Sequence, residues 1–375
     1  MRIVQVATLV TPDGAYGGPI RVAINQTRSL RAAGHDVELV AAARGFGTNI
    51  PDLFDGVPIR LFPARAIPKL GFSGTYAPDL QQWLKANLSA TDVAHIHMGR
   101  DMVTLPAALA ARAARTPYIV QTHGMVAPSR HPLAGIVDRK WTIPALRGAD
   151  HTLYLTPEES GGLNGVTDLG AKLEQLHNGV PESPVPVSTS ENDPLEVLFL
   201  ARLHERKRPL MFVELAKRLH VDHPGVRFVL AGPDGGEGRA VQRAIDLSGI
   251  TDALSWEGPI APDQTAERIS RCSVYVLPSI DEPFPMSVLE ALAQGKPAVV
   301  TESCGLAESI TSAGAGAVSD STLESLTTAV DRLLTDAAER RSSGENALAL
   351  ARTTFSMNRI AEKLENLYEG AVSHA

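Results

Sequence analysis

The sequence contains little cysteine, few aromatic residues and no long apolar run. Its 375 residues include two cysteines, three tryptophans, six tyrosines and nine phenylalanines. The cysteines at positions 272 and 304 are too few for a disulfide framework and suit a reducing cytosol. No apolar run approaches the roughly 18 residues that span a bilayer, and no signal peptide precedes the first apolar stretch. These features predict a cytoplasmic protein.

A strong charge of one sign and a metal-binding pattern are also missing. The net charge is −7, with 17 Lys/Arg against 15 Asp/Glu in residues 1–185 and 18 against 27 in the remainder. Neither half therefore looks like a nucleic-acid binder. No Cys/His spacing suits zinc, and no Asp-x-Asp follows a predicted strand in a setting that would hold a metal-bound diphosphate. We expect neither a metal nor a cofactor.

The sequence does contain short apolar runs that alternate with amphipathic stretches from end to end. Such a pattern is typical of parallel strands joined by crossover helices. In the first half it predicts strands at 3–9, 37–42, 58–62, 93–97, 118–122 and 152–155, and helices at 20–33, 78–88, 103–114 and 135–146. In the second half it predicts strands at 195–200, 228–231, 254–256, 274–277 and 298–301.

One stretch rich in proline and serine, PESPVPVSTSENDP at 181–194, interrupts this alternation. It predicts a linker between two domains. The predicted organisation is a first domain at 1–182, a linker at 183–194, a second domain at 195–355 and a C-terminal helix at 356–375 that crosses back to the first domain. The fold class is α/β, with two Rossmann-like, doubly wound domains facing an interdomain cleft. Because ligands bind beyond the carboxyl ends of parallel strands, the loops after strands should carry the chemistry.

The segment DEPFPMSVLE at 281–290 follows a predicted strand and has a glutamate near each end, Glu282 and Glu290. Pro285 is predicted as the first residue of a helix, where proline is tolerated. A helix N-terminus at that edge presents free N–H groups and partial positive charge, which suit an anion. Carboxylates accept hydrogen bonds from vicinal hydroxyls. A phosphate between two hydroxyl-binding carboxylates describes a nucleotide sugar.

With the ALAQGKPAVV that follows it, this segment resembles the E-x7-E signature of retaining glycosyltransferase family 4, whose members have the two-domain GT-B fold. The resemblance implies that Glu282 contacts hydroxyls of the donor sugar and that Glu290 holds those of the ribose. Pro283 and Pro285 stand where many members have glycine, and proline offers no N–H. The backbone groups that remain for the donor belong to Phe284, Met286 and Ser287.

A second landmark, ARLHERKRP at 201–209, follows the first predicted strand of the second domain. Arg202 can fork onto phosphate oxygens and Lys207 can act as a point charge. The two resemble the diphosphate-binding Arg-x4-Lys pair of the family, and the alternative is a solvated basic loop. Arg206 and Arg208 are predicted to be solvated.

Three further positions resemble family landmarks. His123, in THG after a predicted strand, resembles the histidine that contacts the donor sugar, although a buried or capping histidine is an alternative. DGAYGGP at 13–19 resembles the Gly-Gly loop near the diphosphate, with Gly17 and Gly18 as its donor-binding residues. Its spacing does not fit G-x-G-x-x-G, which argues against NAD. Gly258 lies where the family seats the base.

The resemblance implies a metal-independent retaining hexosyltransferase that uses a nucleoside-diphosphate sugar and a sugar or lipid-linked acceptor. The second domain would hold the donor and the first the acceptor. Residues 123–141 resemble, more weakly, members that build bacterial surface polysaccharides, which leaves open peripheral contact with the inner face of the membrane. A nucleotide-sugar epimerase and a non-catalytic nucleotide-sugar-binding protein are the alternatives. The expected catalytic residues are His123, Arg202, Lys207 and Glu282.

Overall fold

The computed structural model describes residues 1–12, 17–47, 49–68, 70–181 and 194–373. These residues divide into two compact units, one within Met1–Gly179 and Met357–Ala375, the other within Val180–Ser356. We call them the first and the second unit. The predicted linker at 183–194 lies outside the described residues except for Pro194, and so do residues 13–16 of the predicted glycine loop.

Strands and helices alternate along both units. The strands of the described residues are β1 Arg2–Val10, β2 Asp36–Ala43, β3 Leu53–Phe54, β4 Val57–Pro63, β5 Arg65–Ala66, β6 Thr75–Tyr76, β7 Val93–His97, β8 Tyr118–Gln121, β9 His151–Tyr154, β10 Leu173–Gln175, β11 Glu196–Leu200, β12 Arg227–Ala231, β13 Leu254–Trp256, β14 Val274–Leu277, β15 Ala298–Thr301 and β16 Gly316–Ser319. The α-helices are α1 Gly17–Ala32, α2 Pro78–Asn87, α3 Thr104–Ala114, α4 Ala134–Val137, α5 Ile143–Gly148, α6 Pro157–Val166, α7 Pro209–Asp222, α8 Gly238–Asp246, α9 Thr265–Ser270, α10 Met286–Ala293, α11 Ala307–Ala313, α12 Leu323–Thr335, α13 Ala337–Thr353 and α14 Met357–Ser373.

The first unit is built on a sheet with the strand order β10-β9-β8-β7-β1-β2-β4-β3. Its neighbouring strands are parallel except β3 and β4. The central strands are buried along their length, which explains the continuous apolar runs from which they were predicted. The helix α14 belongs to this unit and buries Met357, Ile360, Leu364 and Tyr368 in a cluster with Ile3 and Val93 of the sheet.

The second unit has a fully parallel sheet with the strand order β13-β12-β11-β14-β15-β16. Its helices cover strands with apolar side chains. Phe212 of α7, for example, meets Phe199 of β11 with ring centroids 5.7 Å apart. In this order the strand sequence reverses next to β11, between β12 and β14. A reversal of this kind opens a crevice at the carboxyl ends of the strands, where ligands of such sheets bind.

The predicted doubly wound strands are confirmed, with differences at their ends. Five short strands of two to four residues each were not predicted, namely β3, β5, β6, β10 and β16. In β16 the sequence GAVS is short and begins with a glycine. The predicted helix at 135–146 is interrupted, since Asp138–Thr142 between α4 and α5 is a π-helix. Across the described residues, we find no helix with both the length and the apolar character needed to span a membrane.

Candidate functional site

The segment with the two glutamates connects β14 to α10 in the second unit. Pro285 is the N-cap residue, with φ −75° and ψ 113°, and the helix begins at Met286. The prediction that Pro285 is the first helical residue is therefore wrong by one position. Because proline lacks an N–H, the first backbone donors of this helix belong to Met286 and Ser287.

Glu282 and Lys207 meet in an ion pair, so the structure brings together two of the predicted site residues. Lys207 Nζ donates to Glu282 Oε2, and Arg206 Nη2 lies 3.4 Å from the same oxygen. The carboxylate side chain is only 9% exposed and the ammonium 17%. Burial lowers the pKa of Lys207, while Glu282 acts against this shift. A partly desolvated pair of opposite charges therefore joins the loops after β11 and β14.

Hydrogen bonds to backbone carbonyl groups fix these two loops against each other. Ile280 N donates to Arg206 O at 3.0 Å, and Arg206 Nη1 donates to Asp281 O at 2.8 Å. Asp281 has φ 49° and Arg208 has φ 54°, which non-glycine residues seldom adopt. Backbone conformations of this kind tend to occur at functional sites, where the surrounding structure holds them.

The prediction that Arg206 and Arg208 are solvated is wrong for Arg208 and incomplete for Arg206. Arg208 is partly buried and donates to Ser321 O at 2.8 Å. The Arg206 side chain is 43% exposed but contacts Glu282. Both arginines therefore help to shape the loop after β11.

Arg202 lies at the end of β11 against the glycine-rich loop after β12. A Cβ on Gly232 would lie 2.1 Å from Ala201 O, and one on Gly235 would lie 2.6 Å from Arg202 Cγ. Only glycine permits this approach. Gly258 has φ 79° and accepts a hydrogen bond from Gly232 N at 2.7 Å. The loops after β11, β12 and β13 are thus in contact, with the exposed Arg202 side chain at their edge.

The remaining predicted donor residues of the second unit lie on and before α10. Ser287 Oγ is 2.8 Å from the Tyr275 hydroxyl, and Glu290 is close enough to that phenol to help raise its pKa, although burial is the main cause. Phe284 is buried, and its ring packs edge-on against Phe355 with centroids 5.9 Å apart. Its side chain is therefore part of the core, which leaves its backbone as the group that could meet a ligand.

In the first unit, His123 follows β8 with φ 51° and precedes Gly124 with φ 75°. Its Nε2 lies 2.8 Å from Nδ1 of His97, the last residue of β7. Burial lowers the pKa of His123 to about 3, with a smaller contribution from His95. His123 is therefore a neutral imidazole at physiological pH. Gly17 and Gly18, the other predicted residues of this unit, form the start of α1.

Sequence reasoning missed Glu159, which holds the His123 loop in place. Its Oε1 accepts hydrogen bonds from Thr122 Oγ1 and Gly124 N, both at 2.5 Å, and its Oε2 accepts one from Leu155 N at 2.7 Å. The carboxylate thus bonds on both sides of His123. The signal was the sequence TPEE at 156–159, because Thr-x-x-Glu is the capping-box pattern of a helix N-terminus.

Apolar and basic side chains share an exposed surface of the first unit between Leu133 and Trp141. Leu133 is 49% exposed, Ile136 46% and Trp141 44%. Arg139 and Lys140 are exposed between them. Within the residues that the structure describes, no group of His, Cys, Asp and Glu side chains is arranged to hold a metal ion.

Two family models match consecutive segments of the chain. "Glycosyl transferase 4-like domain" matches residues 17–179, and "Glycosyl transferases group 1" matches residues 185–349. The glycogen synthase of Mycobacterium tuberculosis is 24% identical over 407 residues, covering 99% of this chain and 95% of that protein. The D-inositol 3-phosphate glycosyltransferase of Paenarthrobacter aurescens is 27% identical over 242 residues, covering 60% of this chain. The chain spans only 59% of the length of that second relative.

Among solved structures, Anabaena HepE in complex with UDP is similar to this chain with a TM-score of 0.75. The two are 17% identical, and the similarity covers 99% of this chain and 100% of HepE. A likeness at this identity shows the fold. Because the two family domains follow each other along the chain and the whole chain has the fold of HepE, this chain belongs to the family-4 glycosyltransferases and has the GT-B fold.

Proposed function

We propose that this enzyme is a retaining transferase that moves a hexose from a nucleoside-diphosphate sugar to an acceptor hydroxyl in cell-surface polysaccharide or glycolipid synthesis. The observation that carries the proposal is the ion pair of Lys207 and Glu282. A cation for a diphosphate and a carboxylate for sugar hydroxyls are thereby held side by side on two loops. HepE was solved with UDP, which supports a nucleoside diphosphate as the leaving group.

In this proposal, binding of the donor replaces the contact between Lys207 and Glu282 by contacts of each residue with the donor. Without ligand, Lys207 and Glu282 neutralise each other in a partly buried position, where an unpaired charge would be costly. A donor offers an anion to Lys207 and hydroxyls to Glu282 at the same time. Neither charge is then left without a partner when the pair separates.

Departure of the nucleoside diphosphate builds negative charge on its oxygens, and the second unit has cationic groups to meet it. Lys207 is fixed in the loop after β11, Arg202 is exposed at the start of the same loop, and the first N–H groups of α10 belong to Met286 and Ser287. Preorganised donors of this kind stabilise charge as it develops. In this proposal they take the role that a divalent metal has in other transferases.

The remaining donor contacts follow from the positions of the loops. Glu290 would accept from the ribose hydroxyls, and Gly258 would border the base. The family resemblance also assigns His123 a contact with the sugar. Retention follows if the acceptor attacks the face that the diphosphate leaves, since the departing oxygen can then take the acceptor proton and no protein nucleophile is needed.

The first unit would bind the acceptor. We also infer that the exposed surface from Leu133 to Trp141 contacts an anionic membrane that carries a lipid-linked acceptor. It combines apolar side chains with Arg139 and Lys140, the combination that attracts a protein to anionic lipid. The only carboxylate between these positions, Asp138, is already paired with Arg100 at 2.7 Å.

Product analysis tests the reaction. The full chain is incubated with a panel of nucleotide sugars, with and without sugar and lipid-linked acceptors, and products are identified by NMR. We expect release of nucleoside diphosphate that depends on the acceptor, a product with the anomeric configuration of the donor, and turnover that persists with EDTA. Conversion of the donor without an acceptor would favour the epimerase. Inverted product, or donor binding without turnover on any acceptor, would contradict the proposal.

Vesicle sedimentation tests the membrane contact. The chain should bind phosphatidylglycerol vesicles at low salt, because higher salt screens the attraction to anionic headgroups. It should bind phosphatidylcholine vesicles weakly, because their headgroups carry no net charge. Leu133→Ser with Trp141→Ser should reduce this binding about ten-fold or more, since two apolar side chains that would enter the bilayer are lost. Val221→Ser, at a position 78% exposed in the second unit, is the matched control and should change nothing. Equal binding to both vesicle types would remove the membrane from the proposal.

A further inference from the structure

Three histidine rings of the first unit form a stack that ends at the candidate site. His95 and His97 are parallel within 9°, with centroids 4.7 Å apart, and His97 and His123 lie 5.1 Å apart at 15°. His95 and His97 come from β7, where both are fully buried. The stack therefore runs from the interior of the sheet to the loop after β8.

Hydrogen bonds link Gln5, His97 and His123, and the donor and the acceptor of each bond can be assigned. Gln5 Oε1 lies 3.3 Å from His97 Nε2 and also accepts from Thr27 Oγ1 at 3.3 Å. A carbonyl oxygen only accepts hydrogen bonds. His97 Nε2 must therefore carry the proton that it donates to Gln5.

The proton on His97 Nε2 also decides which ring donates in the hydrogen bond between His97 and His123. Burial lowers the pKa of His97 well below its ordinary value, so the ring carries a single proton, and that proton is on Nε2. His97 Nδ1 is then unprotonated and accepts. His123 Nε2, 2.8 Å away, must be the donor. A neutral His123 with its proton on Nε2 has an unprotonated Nδ1.

That Nδ1 atom has no hydrogen-bond partner within the described part of the chain, although it is enclosed. A buried acceptor without a donor is costly. A ligand hydroxyl would supply the donor that is missing. The opposite tautomer would place an N–H there and would reject a hydroxyl hydrogen.

We propose that Gln5 and His97 are positioning residues that hold His123 as the neutral tautomer protonated on Nε2, so that Nδ1 accepts a hydrogen bond from a hydroxyl of the donor sugar. This inference rests on the proposed function, because it requires a sugar at His123. Glu159 fixes the backbone on both sides of His123, and the Gln5–His97 pair fixes which nitrogen of the ring can accept.

Long-range ¹H–¹⁵N correlation spectra of the histidine-labelled full chain read the tautomer directly, because protonated and unprotonated ring nitrogens differ widely in shift. The His123 signals are assigned from the spectrum of His123→Gln. In the ligand-free wild type we expect Nε2 protonated and Nδ1 unprotonated. A proton on Nδ1, or a mixture of tautomers, would overturn the inference.

Three variants separate positioning from packing. His97→Phe keeps a buried ring but removes the acceptor, so His123 should become a mixture of tautomers. His97→Asn places an amide oxygen near the position of Nδ1 and should restore the wild-type pattern. His95→Phe makes the same substitution in an equally buried ring that bonds to Tyr368 instead of His123, and should leave the His123 signals unchanged. An unchanged His123 spectrum in His97→Phe would contradict the positioning role.

Kinetics then test the link to the sugar. Loss of one hydrogen bond in the site should lower kcat/KM for the donor roughly ten-fold in His97→Phe, with most of it recovered in His97→Asn. Normal kcat/KM in His97→Phe, with a changed tautomer, would overturn the contact with the hydroxyl. If the wild type shows the expected nitrogen shifts but turns over no nucleotide sugar, the proposed function fails and the tautomer assignment stands.

Discussion

The loops that carry the predicted site residues are held by hydrogen bonds in the first unit and by ion pairs in the second. In the first unit His123 is neutral, and the carboxylate of Glu159 is bonded to three donors of its own fold. In the second unit Lys207, Arg206 and Glu282 meet as charges. The same doubly wound architecture therefore supports two kinds of cluster. The neutral cluster, built around His123 with Gln5, His97 and Glu159, is arranged by directional hydrogen bonds. The charged cluster, Lys207, Arg206 and Glu282, is arranged by charge. The first kind suits the orientation of a neutral polyol, and the second suits an anion.

Strain is common to both clusters. His123, Arg208 and Asp281 each have φ near 50°. Outside a special setting such a conformation is unfavourable for these residue types. The two clusters thus differ in charge but share loops that the surrounding structure holds in unusual conformations.

The largest effect should come from removing the cation of the charged cluster. In the proposed reaction Lys207→Met would delete a preorganised partner of the leaving group, and such deletions cost about 2.7–4 kcal/mol, or roughly 100- to 1000-fold in kcat. Steady-state turnover measures it. Lys217→Met, in the same unit and paired only with Glu214 at the surface, is the control and should have near-normal turnover.

Arg206→Ala tests whether the position of Lys207 or the total charge of the cluster governs turnover. The Arg206 side chain is 43% exposed and lies 3.4 Å from Glu282, and exposed ion pairs contribute about 0–1 kcal/mol. Arg206→Ala should therefore lower turnover about five-fold at most. If Arg206→Ala lost as much as Lys207→Met, the charge of the cluster as a whole, and not the position of Lys207, would govern the reaction.

A smaller effect is expected in the neutral cluster. Glu159→Gln places an amide nitrogen against groups that donate, so at least one buried donor loses its acceptor. The free energy of unfolding should fall by about 1–3 kcal/mol, measured by urea unfolding at pH 7. Glu158→Gln changes the exposed neighbour and should leave stability unchanged. Equal stability of both variants would show that the His123 loop does not depend on this carboxylate.

The smallest effect concerns pH. Burial lowers the folded-state pKa of His95 and of His123 to about 3, below the ordinary value of 6.5. The unfolded chain therefore binds protons that the folded chain refuses, and stability is lost as pH falls from about 6.5 toward 3. Between pH 7 and 5.5 each of these histidines should lower the free energy of unfolding by about 1 kcal/mol.

His95→Phe tests this assignment, because it should remove about 1 kcal/mol from the loss of unfolding free energy between pH 7 and 5.5. His131→Phe makes the same substitution at an exposed histidine of the same unit and is the matched control. The same slope in His95→Phe and the wild type would contradict the lowered pKa of His95 in the folded state.

The sequence predicted the charged cluster better than the neutral one. The loops after β11 and β14 carry Arg202, Lys207 and Glu282 within short motifs, and strand-end placement follows from apolar periodicity. The contact between Lys207 and Glu282 could not be predicted, because 75 residues separate them and the pairing of β11 with β14 had to be known.

In the neutral cluster His123 lies in a family motif and Glu159 in a capping-box pattern, whereas Gln5 and His97 lie in no motif. Gln5, His97 and Glu159 come from three separate elements, and their roles depend on the direction of each side chain across the sheet. A glutamine in an apolar strand gives no signal of its own, since period and composition do not report hydrogen bonds. The π-helical interruption at Asp138–Thr142 was hidden for a similar reason, because its residues fit helical spacing.

The position of α14 has a consequence for the order in which the chain folds during synthesis. The second unit is one continuous stretch, Val180–Ser356, whereas the first unit needs Met357–Ser373 to fill its core with Ile360, Leu364 and Tyr368. The ribosome therefore releases every residue of the second unit before the first unit can bury that face of its sheet. An emerging chain would expose this apolar face until Tyr368 has left the exit tunnel, which makes this interval the one in which chaperone contact is most needed.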